Sequence, residues 1–152
     1  MNLTEKERLL LTDLKADEQL CIEKYTRYES EAHDEGLKQI FKTIKEAERG
    51  HLTTICEILE GKEVSMPSES PSATAAMPEC EMSTCTADEK AEDAFLAKDA
   101  LSMEKKVAGS YNTSIFEFSS PVLRDTLAHI EKEEQNHGEM LWCYLNTNGM
   151  YN

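Results

Sequence analysis

The sequence is short of most things that sheet-rich, membrane and secreted scaffold proteins need. Its 152 residues include six Gly, four Pro and 7% aromatics. That is little turn chemistry for a β fold, and the 30% of charged residues fits a helical one. No apolar run approaches the roughly 18 residues of a membrane span. The opening "MNLTEKERLLL" sets acidic residues before a short Leu run, unlike a secretory signal. The five cysteines (Cys21, Cys56, Cys80, Cys85 and Cys143) are an odd number without framework spacing, so reduced thiols in a cytoplasmic protein are expected. Basic residues are scarce too: 16 Lys and Arg stand against 30 Asp and Glu, a formal net charge of −14. That charge repels nucleic acid and anionic membranes, and it attracts cations.

Histidine is also rare, which makes its placement informative. Of four histidines, two close the stretches "EAERGH" (46–51) and "KEEQNH" (132–137), each three residues after a glutamate. On an α-helix, positions i and i+3 share a face, so each pair offers a carboxylate and an imidazole side by side. One such pair is weak grounds for a metal site. Two of them, 86 residues apart, raise the question of an internal repeat.

Residues 5–32 and 35–60 read as two long amphipathic helices joined by a short turn around "HDEG", with Gly61 as a stop. A Ser-, Pro-, Ala- and Thr-rich stretch over 61–86 has no helical period and reads as a linker. On this reading it exposes Cys80 and Cys85, free to oxidise together or to hold metal loosely, though neither is the expected outcome, and its Val64–Thr84 part is the expected first site of proteolysis. Thr86 and Glu89 form a capping-box pattern that opens a third helix running to about Phe118. Ser120 and Pro121 open a fourth, to about Leu145. The expected architecture is all-α: a single domain over 1–152, with hairpins at 5–60 and 87–147 and one long crossover between them.

A shift of 86 residues overlays one hairpin on the other without a gap. Asp13 falls on Asp99, Glu18 on Glu104, Tyr25 on Tyr111, Glu48 on Glu134 and His51 on His137. The apolar stripes read Leu11, Leu14, Glu18, Cys21, Tyr25, Tyr28, Ala32; then Leu37, Phe41, Ile44, Glu48, His51, Ile55, Ile58. The second half gives Ala97, Ala100, Glu104, Val107, Tyr111, Ser114, Phe118; then Leu123, Leu127, Ile130, Glu134, His137, Leu141, Tyr144. Every stripe is broken near its middle by Glu, or by Glu and His. Glutamate is among the residues least often fully buried, and an unpaired buried carboxylate costs several kcal/mol. Two divalent cations would balance four carboxylates and two neutral imidazoles. Tyr25 and Tyr111 are either core tyrosines or hydrogen-bond partners of ligand carboxylates. His33 and His129 break the repeat and are expected at the surface. Cys21 is expected to pack, with reach toward the metal pocket as the alternative.

One Glu on each odd helix and Glu-x-x-His on each even helix is the di-metal carboxylate pattern of ferritin-like four-helix bundles. The sequence resembles rubrerythrin- and bacterioferritin-type members over about 115 of its 152 residues, with "EQLCIEKY" and "EKKVAGSY" as the Glu-x6-Tyr elements. That resemblance implies that Glu48 and Glu134 bridge two metals. Glu18 with His51, and Glu104 with His137, would complete the two shells. Iron is the expected metal, with manganese or zinc as alternatives, and a small oxidant is the expected substrate. Rubrerythrins carry a further Glu one turn after the third-helix ligand, where this chain has Val107, and "CEMSTC" lacks the paired Cys-x-x-Cys of their electron-delivery domain. The tail "LNTNGMYN" is similar to spore coat proteins of the coat F type. Two functions therefore stand: a di-iron redox protein that reduces peroxide or oxygen or oxidises ferrous iron, and a spore coat component with a metal site and no turnover. The first implies a cytoplasmic location. The second implies a spore-associated one with other coat proteins as partners, and a homodimer is compatible with either.

Overall fold

The computed structural model describes residues 2–65 and 80–151. Four helices occupy them: α1 (Glu5–Glu31), α2 (Glu35–Leu59), α3 (Ala87–Ile115) and α4 (Pro121–Thr147). No strand occurs among the described residues, and no described helix is long and apolar enough to cross a membrane. The boundaries follow the expected ones within two residues, except that α3 stops at Ile115 and leaves Phe118 in the turn, still buried.

Each start has a cap. Thr4–Glu7 and Thr86–Glu89 form reciprocal capping boxes at α1 and α3, while the Asp34 and Ser120 side chains accept from the amides of Leu37 and Leu123 at α2 and α4. Gly61 takes φ +79 after α2, a conformation other residues adopt at a cost, and lets the Lys62 amide reach back to the Glu57 carbonyl.

The four stripes meet in one core. Every stripe residue named above is buried except Tyr28, which is half-buried. Each large apolar side chain so enclosed contributes about 1.5–3 kcal/mol relative to exposure. Within each hairpin the helices run antiparallel. Lys6 of α1 meets Glu117 beyond the end of α3 at 2.6 Å, and Lys24 meets Asp99 at 2.7 Å, so α1 and α3 are antiparallel as well. Helices α2 and α3 are then parallel across the bundle, the connectivity that one long crossover gives.

Two buried carboxylates outside the stripes lock the halves together. Glu7 on α1 accepts from the backbone amide (2.9 Å) and hydroxyl (3.1 Å) of Ser119, in the turn of the second hairpin. Asp93 on α3, 86 residues later, accepts from the amides of His33 (2.8 Å) and Asp34 (2.9 Å), in the turn of the first. Burial pushes the Glu7 carboxyl up, but hydrogen bonds from Ser119 and Thr4 overcome it and hold the group below its usual range. The apolar stripes as drawn began one turn too late to include either residue. The signal was there, since Glu7 and Asp93 lie four residues before Leu11 and Ala97.

Residues 66–79 of the linker, with most of the expected proteolytic stretch, lie outside the described residues. Its far end is not exposed as expected: Cys80 and Cys85 are both half-buried. The Ser83 amide donates to Asn148 Oδ1 at 2.8 Å, Cys80 packs against the core, and its thiol is in hydrogen-bonding contact with Cys143 rather than Cys85. The "LNTNGMYN" tail makes this anchorage. Gly149, at φ +66, turns the chain after α4, and the Met150 amide returns to the Leu145 carbonyl at 2.8 Å.

Candidate metal centre

The mid-points of the four helices sit at one level, because each ligand position lies near the middle of a helix of 25 to 29 residues. Glu18, Glu48, Glu104 and Glu134 are at most 2% exposed, and His51 and His137 are 4% exposed. They form two overlapping groups: Glu18, Glu48, His51 and Glu134, and Glu48, Glu104, Glu134 and His137. In each group one donor atom per residue lies within 4.8 Å of all the others. Glu48 and Glu134 belong to both, the positions from which a carboxylate can bridge two ions. Glu18 and Glu104 each belong to one.

Both imidazoles turn Nδ1 inward. His51 Nδ1 lies 3.1 Å from Glu48, 3.1 Å from Glu134 and 3.7 Å from Glu18. His137 Nδ1 lies 3.4 Å from Glu48, 3.4 Å from Glu134 and 3.5 Å from Glu104. The tyrosines cross between hairpins: the Tyr25 hydroxyl donates to Glu104 Oε1, and the Tyr111 hydroxyl to Glu18 Oε1. Each terminal carboxylate thus has one oxygen fixed by a tyrosine from the opposite half, and the other left over. Glu18 Oε2, Glu104 Oε2, Glu48 Oε1, both oxygens of Glu134 and His137 Nδ1 are buried without a hydrogen-bond partner. Buried polar atoms are normally satisfied. Six orphans converging on one spot fit a pair of divalent cations, whose hard charge suits carboxylate oxygens and imidazole nitrogen.

With only protons to neutralise it, the cluster divides its charge. Burial pushes Glu18 up to about 9, with His51 opposing and Glu48 reinforcing the rise, and pushes Glu104 up to about 8 against the pull of His137. Burial also opposes ionisation of Glu48 and Glu134, but the imidazoles of His137 and His51 beside them outweigh it, holding Glu48 well below the usual range and lowering Glu134. The histidines are disfavoured as cations by burial, yet Glu133, Glu134, Glu18 and Glu48 around His51, and Glu104, Glu134 and Glu48 around His137, raise both. Two neutral acids, two carboxylates and two imidazolium ions sum to zero, the same total that two divalent cations would give with every acid ionised. The carboxylates are therefore not mutually uncompensated before metal arrives.

All six expected ligands and both tyrosines converge here. Cys21 is buried beside the cluster, its thiol pushed strongly up by burial and by the surrounding carboxylates, and it belongs to neither ligand group. Val107, where rubrerythrins carry their extra Glu, is fully buried. His33 is exposed as expected, but His129 is half-buried and faces Glu133. Glu133 was missed altogether. It accepts from His51 Nε2 at 2.8 Å, and the one clue to it was a mismatch in the overlay, where position 47 holds Ala.

The family model described as Coat F domain matches residues 92–152, less than half of the chain. That stretch covers nearly all of α3 with α4 and the tail, and it supplies Glu104, Tyr111, Glu134 and His137. No curated protein and no solved structure gave a match. The resemblance to rubrerythrin-type proteins rests on the ligand pattern alone.

Proposed function

We propose that this chain is a spore-associated protein of the coat F type whose bundle holds two divalent metal ions. The match over the second hairpin carries the spore assignment, and it includes half of the ligand set. Glu48 and Glu134 would bridge, Glu18 and His51 would complete one position, and Glu104 and His137 the other. Tyr25 and Tyr111 hold the terminal carboxylates in place, and the apolar stripes above and below exclude water. Fractionation of purified spores with an antibody to the chain should find it in the coat layer. Confinement to the cytosol of growing cells would overturn the spore assignment. Metal analysis of the chain expressed in iron-supplemented medium should give two ions per chain.

A second reading, redox turnover, draws support from the buried, tyrosine-braced cluster. A pair of irons there would supply reversible one-electron steps to peroxide or oxygen. Mixing the di-ferrous protein with hydrogen peroxide should then oxidise two irons per chain faster than free ferrous ion. Oxidation no faster than that of free ion leaves a structural metal centre in a coat component.

A further inference from the structure

The repeat that builds the centre fails next to it. Pairing α2 with α4 about the pseudo-twofold sets His51 opposite Glu133, and His137 opposite Ala47. Glu133 Oε2 accepts from His51 Nε2 at 2.8 Å and lies 3.7 Å from His129 Nε2. Position 47 has no polar side-chain atom to offer His137. Position 43, the counterpart of His129, is Thr.

The surroundings differ as well. A cleft of ≈ 520 Å³ between α2 and α4 opens beside His51, with Glu46, Glu57, Glu63, Glu133 and His129 in its wall. Toward the other end of the helices a second cavity of ≈ 650 Å³ has the linker residues Cys80 and Met82, with Ile40, Thr43 and Tyr144, in its wall, and Asp34, Glu35 and Glu81 beside them. The acidic cleft therefore leads cations to His51, whereas the wall of the second cavity does not include His137.

Resting on the metal-centre reading above, we propose that the two metal positions are inequivalent: the one at His51 binds more tightly and fills first, because Glu133 positions that histidine and Ala47, its counterpart, gives His137 no such partner. A carboxylate on the outer nitrogen fixes the proton there, leaves Nδ1 as the inward donor, holds the ring against rotation and makes it a stronger ligand. Loss of such a partner typically weakens metal binding about 10- to 100-fold. Glu133 is 34% exposed, which places the effect at the lower end, about tenfold.

The test is a cobalt(II) titration of the full chain, followed by visible ligand-field absorption and by equilibrium dialysis. The wild type should bind two ions in two resolved steps. Glu133→Gln keeps the shape and removes the charge. It should weaken the tighter step about tenfold, leave the weaker one unchanged, and alter only the spectrum of the first ion. Glu133→Asp should restore part of the loss. Ala47→Glu supplies His137 with the missing partner, and should strengthen the weaker step by a similar factor. A wild type that binds two ions in one indistinguishable step, or a Glu133→Gln variant that leaves both steps unchanged or weakens both equally, overturns the inference and leaves the metal centre standing. A wild type that binds no cobalt overturns both.

Discussion

Within the first hairpin, Glu18, Tyr25, Glu48 and His51 do what Glu104, Tyr111, Glu134 and His137 do in the second, and Glu7 clamps the other half's turn as Asp93 clamps its own partner's. The groove between α2 and α4 shows no such agreement: Glu133 corresponds to Ala47, and His129 to Thr43. The contrast separates two kinds of constraint. The carboxylates, imidazoles and tyrosines of the centre are identical in both halves and the two turn clamps are both acids, because each must satisfy a buried charge or a buried amide. Positions that border the opening differ, since solvent tolerates many answers there.

The harshest way to break the comparison is to remove what both halves share. Glu48→Ala with Glu134→Ala deletes the two residues common to both ligand groups and should abolish stoichiometric binding of two metals, read by metal analysis after dialysis. Glu18→Ala and Glu104→Ala, each confined to one group, should instead cost one metal apiece. Next comes metal uptake itself. Glu18, Glu104 and both histidines hold protons that ligation displaces, so loading two divalent ions near neutral pH should release about four protons, measurable in weakly buffered solution. Affinity should fall steeply with falling pH, since Glu18 (about 9) and Glu104 (about 8) are protonated below those values and the raised histidines keep their protons too. Stripping the metals should leave a folded bundle that is less stable, by about 2.7 kcal/mol for each position whose free metal had been at 100 times its dissociation constant.

Smaller effects sharpen the comparison. Asp93→Ala leaves two turn amides without a partner and Glu7→Ala leaves the amides and hydroxyls of both Ser119 and Thr4, so each should cost about 1–3 kcal/mol in chemical denaturation. The Glu7 carboxyl titrates below its ordinary value in the folded protein. Its contribution is therefore complete above the unfolded value and is lost as pH falls through the folded one. Comparing wild type with Glu7→Gln across pH 2 to 6 checks that sign. Smallest, Tyr25→Phe and Tyr111→Phe should each remove one hydrogen bond, about 1 kcal/mol, and by equal amounts if the halves are equivalent at this level.

The helices, the caps of α3 and α4 and the level of the buried glutamates were legible in the sequence. Buried positions at steps of three and four are conspicuous when the residue there is Glu, as at Glu18 and Glu134. Contacts between hairpins were not legible. The Tyr25–Glu104 bond spans 79 residues, and no local pattern says which carboxylate a tyrosine meets. Glu133 was hidden because a glutamate on a half-buried helix flank looks like any solvated charge. The linker's far end was misread because its anchor, Asn148, lies 65 residues away from Ser83.

The reciprocal clamps and crossed tyrosines make this chain a dimer written as a single polypeptide. Each half contributes the acid that closes the other's turn and the hydroxyl that steadies the other's ligand. A hairpin such as α3–α4, the part that matches the family model, cannot bury its stripe alone and must find a second hairpin. Two copies of it about the same axis would bring Tyr111 to the other copy's Glu104 and Glu133 to the other copy's His137. In that assembly both histidines would have a carboxylate behind them. With both hairpins in one chain, positions 47 and 133 are free to differ, and here one is Ala and the other Glu.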